Sequence, residues 1–391
     1  MFSEDLHPEG LSRMKWEYEK ERTGFDDIIA LGTADMDFQS PGPILDAIRR
    51  VADRGHLGYP YTPDRYYRAI HDYLLRASGW DVDVRSCTLH NVGIYMSAYC
   101  FLDAMLEKGD EVVIFTPVHF WFRKMVEING YKAICIPLVS EDGVFHMDKE
   151  AFEKSITPRT KMVWICNPHN PVGRAWSREE LSGIADIALR HGLWILSDDV
   201  YCGLLNEGTR YTPIASLSKE VSDISFTMYS TSKSYNTTGL RYSFVITENP
   251  ELLSRYRASM LKLDLTYGVN LLGIESTIAA YNECDQWLAE LMRYIRGNYE
   301  YASSFIAANM PEIKAAKADS TYFMWLDIRA MGLDEDKVSE IFLNEGHIIL
   351  ENGKELGPGG EGHVRLNIAT KRENLEIAME RFQKIYRKCI S

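Results

Sequence analysis

The stretch MVWICNPHNPVGRAWSREELSGIADIALRHGLWILSDDVY, Met162–Tyr201, decides the fold. It opens on one apolar run, Met162–Cys166, and nears its end on another, Trp194–Ser197. Between them Ser177 and Glu180 stand at capping-box spacing, and Leu181, Ile184, Ala185, Ala188 and Leu189 recur on one helical face. His191-Gly192 supplies the stop. Strand, helix and strand at this distance predict an α/β layer with a mostly parallel sheet.

The same alternation extends outward. Further strand candidates are Glu111–Phe115, Lys132–Ile136, Ile224–Tyr229 and Tyr242–Thr247, and Pro43–Arg54, Arg65–Ala77 and Ile94–Leu106 read as helices. After Gly268 the character changes. Long helical patterns run from about Asn270 to Ala308, followed by a strand-like Thr321–Ile328, a helix near Lys337–Asn344 and a strand at Val364–Ile368. The chain has 391 residues, for which two domains are the natural expectation. The boundaries expected are 45–280 for a large domain and 1–44 with 281–391 for a smaller α+β domain made by both termini.

Composition narrows the classes. Hydrophobic residues make up 46% and charged residues 25%, as in an ordinary globular protein. A net charge of −13 and a pI near 5.3 argue against nucleic acid or an anionic membrane as the main partner. Seven cysteines are scattered without a C-x-x-C pair or metal-ligand spacing, so no metal is expected. Several sit in apolar runs, Cys135 and Cys166 among them, and read as small buried hydrophobes in a reducing compartment. The acidic start Met1–Asp5 lacks an apolar leader core, and no stretch is long and apolar enough to span a membrane. A cytoplasmic protein is the expectation.

Ligands of open α/β sheets collect at the carboxyl ends of the strands. Three polar clusters fall there: Asn167–Gly173 after Cys166, Ser197–Tyr201 after Leu196, and Ser230–Lys233 after Tyr229. Any one alone reads as a helix cap or a solvated loop. Their alignment on consecutive strand ends resembles the fold type I pyridoxal-phosphate enzymes of the aminotransferase class I/II superfamily, over nearly the whole chain. Asn170 stands in N-P-x-G, Asp198 stands three residues before Tyr201, and Lys233 has Ser230 three before it and Arg241 eight after it.

That resemblance implies a seven-stranded-type sheet between helices, pyridoxal 5′-phosphate as cofactor, and a role for each matching residue. Lys233 would carry the cofactor and, once freed by the substrate amine, act as general base at Cα. Asp198 would face the pyridine nitrogen and keep it protonated. Tyr201 and Asn170 would bond the phenolic oxygen, and Ser230, Ser232 and Arg241 would hold the phosphate. Val92-Gly93-Ile94, at the start of a helix free of acidic residues in its first turn, would complete the phosphate cup through backbone N–H groups. Here the chain lacks the hydroxyl that relatives place in this loop. His119 stands where the family usually stacks Tyr or Trp on the ring; packing of this segment through Phe120 or Trp121 is the alternative. Arg365, in Val364-Arg365-Leu366-Asn367, matches the arginine that grips the substrate α-carboxylate, with Asn170 beside it.

Two stretches point to one branch. Ala34-Asp35-Met36-Asp37-Phe38 resembles the substrate-side segment of the MalY/PatB-type cystathionine β-lyases, which implies Asp35 at the substrate. Asn167–Trp176 is close to the form that group uses. Arg13-Met14-Lys15-Trp16 and Gly58-Tyr59 also look similar, and the tyrosine matching Tyr59 reaches across a dimer interface to the neighbour's phosphate. Two positions depart: Tyr201 stands where many of those lyases have His, and Gly239-Leu240-Arg241 is the aminotransferase form. The resemblance implies a homodimeric C–S β-lyase acting on L-cystathionine or related S-substituted cysteines. An aminotransferase on the same site is the alternative, and a regulatory binding protein on this fold is a third, less favoured one.

Overall fold

Every residue of Glu111–Thr116 is buried, and its two faces meet different cores. Val112 and Ile114 pack with Ala98 and Phe101, whereas Val113 and Phe115 pack with Leu181 and Ile184. A strand buried on both faces belongs inside a sheet covered by helices on each side. The computed structural model describes residues 2, 10–266 and 270–390. The acidic start, Phe2 apart up to Glu9, and Gly268 lie outside the described residues.

Seven strands form that sheet: β1 Thr88–Asn91, β2 Glu111–Thr116, β3 Lys132–Pro137, β4 Thr160–Cys166, β5 Trp194–Asp198, β6 Ser225–Tyr229 and β7 Ser243–Ile246. Their spatial order is β1-β7-β6-β5-β4-β2-β3. The pairs from β3 through β6 are parallel, and β7 is antiparallel to both β6 and β1. All six strands expected in the middle of the chain are present. β6 starts one residue late because Ile224 ends the short helix Lys219–Asp223. β1 went unread in the sequence: four residues with only their ends buried carry little periodicity.

Helices flank the sheet: α1 Gly42–Asp53, α2 Asp64–Ser78, α3 Ile94–Met105, α4 Arg178–His191, α5 Pro250–Lys262, α6 Leu271–Glu283 and α7 Asp285–Asn309. The capping box of α4 is complete. The Glu180 N–H donates to Ser177 Oγ at 3.1 Å, and the Ser177 N–H donates to Glu180 Oε2 at 2.8 Å. Gly192 closes the helix at φ 64°. The long helical pattern that starts near Asn270 is broken at Cys284 into α6 and α7.

A second sheet has four antiparallel strands in the order β8-β9-β11-β10: β8 Lys314–Ala315, β9 Phe323–Asp327, β10 Glu351–Asn352 and β11 His363–Asn367. The helices α8 Val338–Gly346 and α9 Arg372–Ile390 pack with it. The early chain joins this C-terminal unit. Ile29–Ala30 pairs in parallel with Ile348–Ile349, and Asn367 Nδ2 donates to the carbonyls of Thr33 and Asp35 at 2.7 and 2.6 Å. Among the described residues, no helix is long and apolar enough to cross a membrane and no His/Cys/Asp/Glu group could hold a metal ion.

Candidate active site

The loops after β4, β5 and β6 converge with the start of α3 on a cavity of about 200 Å³. Eleven of the residues singled out in the sequence line it: Val92, Gly93, Ile94, His119, Asn170, Asp198, Tyr201, Ser230, Ser232, Lys233 and Arg241. Parallel neighbours put their carboxyl ends at one edge, so residues far apart in the chain meet there.

Lys233 donates from Nζ to the Ala34 carbonyl at 2.8 Å. Burial depresses its ammonium to about 8, with the Asp35 and Asp198 carboxylates pulling up and Arg365 pushing down. Asp198 is pushed up to about 7 by burial, against the backbone N–H of Val200 and the charge of Lys233. That N–H, 3.3 Å from Oδ1, is its one hydrogen-bond donor among the described residues. A carboxylate this buried lacks a bonded cation, and a protonated ring nitrogen supplies one of the right charge. Next to it, Asp199 is spent internally: Ser197 and Tyr211 both donate to it.

The opposite end suits a phosphate. Gly93 precedes α3 at φ 108° and ψ 162°, a conformation that side chains rarely adopt, and a Cβ there would meet nothing within 4 Å. The first turn of α3 has no acidic residue and leaves N–H groups without intrahelical acceptors. Arg241 is exposed and sits in the left-handed region at φ 47°; its backbone N–H donates to the Thr238 carbonyl at 3.2 Å, while its guanidinium has no hydrogen-bond or ion-pair partner among the described residues. Ser230 differs from expectation. Its hydroxyl donates to the Tyr242 carbonyl at 2.6 Å and accepts the Ser232 N–H at 3.1 Å, so it shapes the loop as well as lining the cavity.

His119 lies in the cavity wall, its ring stacked with Tyr95 at 5.9 Å between centroids and its Nδ1 3.1 Å from the Tyr95 hydroxyl. Burial drives its imidazole down to about 3, with Arg365 and Lys233 adding to the effect, so the ring is neutral. A neutral flat ring is the state that stacks on an aromatic cofactor. Phe122, the second residue of the following helix Trp121–Ile128, also lines the cavity, whereas Phe120 and Trp121 do not.

Three expected residues stand outside the cavity lining. Arg365 is buried behind it and donates from Nη1 to Asn170 Oδ1 at 2.9 Å. The Asp35 carboxylate turns to Arg13, 3.0 Å away, and acts on Lys233 through its charge. Tyr59 is 95% exposed and lies away from this chain's own cavity. The Arg13–Trp16 stretch has a physical role: Asp37 accepts from Arg13 at 3.2 Å, Lys15 at 2.9 Å and Trp16 Nε1 at 2.7 Å. This pins the segment whose Ala34 carbonyl holds Lys233. Sequence reading missed Tyr95 and Val200 in the lining and Glu351 beside Arg365. Val200, between Asp198 and Tyr201, was within reach of it as the apolar member of a polar loop. Tyr95 and Glu351 carry no sequence pattern that points here.

The architecture and the lysine-centred cavity define a fold type I pyridoxal-phosphate-dependent transferase fold. The chain belongs to the aminotransferase class I and II family, whose model matches residues 26–382. It is 35% identical over 376 residues to cystathionine beta-lyase PatB of Bacillus subtilis, covering 96% of each chain. Among solved structures it resembles cystalysin from Treponema denticola, which contains a pyridoxal 5′-phosphate cofactor (TM-score 0.95, 27% identity, 99% of each chain). It also resembles the PLP-bound C-S lyase from Staphylococcus hominis, with TM-score 0.91 and 27% identity over 98% of this chain and 97% of that one.

Proposed function

We propose that this protein is a pyridoxal-phosphate-dependent C–S β-lyase that converts L-cystathionine or related S-substituted cysteines, with water, to pyruvate, ammonia and a thiol. The carrying observation is the 2.8 Å bond from Lys233 Nζ to the Ala34 carbonyl. It sets the reactive amine against Ala34–Phe38, one of the two stretches that resemble the lyases rather than the superfamily at large. The similarity to PatB along 96% of the chain agrees.

The donor set fits the cofactor, with Lys233 as its covalent anchor, Asp198 as partner of the ring nitrogen, and Asn170 and Tyr201 on the phenolic oxygen. Ser230, Ser232, Arg241 and the backbone of Val92–Ile94 take the phosphate, and His119 covers one ring face. When bound, pyridoxal phosphate supplies an electron sink for charge that develops at the substrate Cα. The chain's part is to place protons. Lys233, with its ammonium depressed to about 8, is partly neutral near neutral pH and takes the Cα proton. Asp198 holds a proton at the ring nitrogen by offering it a buried counter-charge. Arg365 and Asn170 orient the substrate through its α-carboxylate. The thiolate then leaves from Cβ.

We also infer two domains, residues 45–280 around the seven-stranded sheet and 1–44 with 281–391 around the four-stranded one, meeting at the cavity. A two-fold dimer in which Tyr59 completes the neighbour's phosphate site is supported by its exposure, shared by Leu57 and Tyr61 on the same segment. Seven unpaired cysteines support a reducing, cytoplasmic setting. Incubation with L-cystathionine and no keto acid tests the function. Pyruvate, ammonia and homocysteine are expected. Turnover that strictly needs a keto-acid acceptor and releases no thiol would make the protein an aminotransferase, which Tyr201 and Arg241 favour.

A further inference from the structure

Arg365 is the cation on which the substrate carboxylate is read to dock, yet its guanidinium is already engaged. Of its five N–H donors, Nη2 gives one to the Gly32 carbonyl at 2.7 Å and one to the Glu351 carboxylate, and Nη1 gives one to Asn170. Its Nε, fully buried, has no partner, so one Nη1 proton and the Nε proton remain. The guanidinium carbon lies 4.1 Å over the Phe323 ring, which fixes its plane. Glu351 and Arg365 are direct cross-strand partners of β10 and β11, so the pairing is set by register. Within the pair the burial is unequal: the Arg365 side chain is 1% exposed and that of Glu351 14%. The carboxylate therefore sits on the open side of the pair. Its charge is felt in the cavity wall, where the Tyr95 hydroxyl holds its proton more tightly because of burial and then the charges of Asp198 and Glu351. Glu355, raised by burial and by Glu351, adds a second carboxyl nearby.

We propose that Glu351 is a specificity-determining residue that excludes substrates whose side chain carries a net negative charge, so that the site takes amino acids with neutral, zwitterionic (as in L-cystathionine, whose distal carboxylate has its own ammonium beside it) or cationic side chains. The inference rests on the reading of Arg365 as the α-carboxylate site. An incoming carboxylate must share one guanidinium with Glu351 or displace it. One such carboxylate is offset by the substrate's own ammonium and the remaining donors. A second one with no ammonium of its own beside it finds no cation left and faces Glu351 across a poorly screened space. The same exclusion bars dicarboxylate keto acids, which separates this site from transamination onto such acceptors.

The test uses the cofactor-loaded protein and the near-isosteric neutral variant Glu351→Gln. Calorimetric titration with propionate and with succinate should give weaker succinate binding in the unsubstituted protein. The variant should tighten succinate at least about tenfold, and propionate by less. In turnover, the ratio of kcat/KM for S-methyl-L-cysteine over S-carboxymethyl-L-cysteine should fall at least about tenfold in the variant. If both substrates weaken together with that ratio unchanged, Glu351 only props Arg365 and the proposal is overturned. Succinate binding as tight as propionate in the unsubstituted protein overturns it without any variant. The two readings fail separately: no pyruvate from S-methyl-L-cysteine would remove the lyase assignment, while the anion titrations would still decide the role of Glu351.

Discussion

Lys233 and Asp198 carry opposite shifts from the same cause. Burial penalises charge on each, lowering the amine to about 8 and raising the carboxyl to about 7, so both groups stand close to neutral pH. Lys233→Ala is expected to lose at least about a thousandfold in turnover together with the visible absorbance of lysine-bound cofactor. An undiminished rate would remove the assignment. Asp198→Asn should keep the cofactor and lose at least about a hundredfold, near 3 kcal/mol of transition-state stabilisation. Asp198 also links the stability of the cofactor-free protein to pH. From the ordinary carboxylate range up to about pH 7 the folded chain holds a proton that the unfolded chain has released, so stability falls as pH rises. In calorimetric melts without cofactor, Asp198→Asn should gain a few degrees at pH 8, a gain that shrinks toward pH 4.

Two helix starts make contrasting use of the same unsatisfied N–H groups. At α4 the Ser177–Glu180 box satisfies them internally, so Ser177→Ala should cost about 1 kcal/mol of stability and leave kcat/KM unchanged. At α3 no side chain caps the helix, and Gly93 at φ 108° leaves the N–H groups open to the cavity. Gly93→Ala should cost about 1–3 kcal/mol of backbone strain and weaken cofactor retention in equilibrium dialysis. Retention equal to that of the unsubstituted protein would mean that the phosphate is held elsewhere. The contrast is physical: a helix that caps itself has nothing left to offer an anion.

In the whole molecule the cavity draws on chain segments from Ala34 to Tyr242, with Arg365 and Glu351 behind it. Leu57, Tyr59 and Tyr61, at 75%, 95% and 80% exposure, make a neighbouring segment poor company for water. Light scattering is expected to give a mass of two chains, and Tyr59→Phe to weaken cofactor binding several-fold without changing that mass. A fully active single chain at assay concentration would contradict both.

The amino-acid sequence by itself determined the α/β layering, because apolar runs and the Ser177–Glu180 cap are local patterns. It also determined most of the cavity, because parallel strands bring their ends together and Asn170, Asp198, Tyr201 and Lys233 sit just past such ends. Tertiary structure alone decided the reversed direction of β7 and the existence of β1, since short strands are specified by their neighbours rather than by periodicity. It alone decided that Asp35 pairs with Arg13 and that Ser230 spends its proton on Tyr242. The pairing of Glu351 with Arg365 was likewise out of reach of sequence reading. It depends on the register of two strands joined through residues 353–362, a connection that includes the 3-10 helix Gly353–Leu356, and register is a long-range choice made by packing.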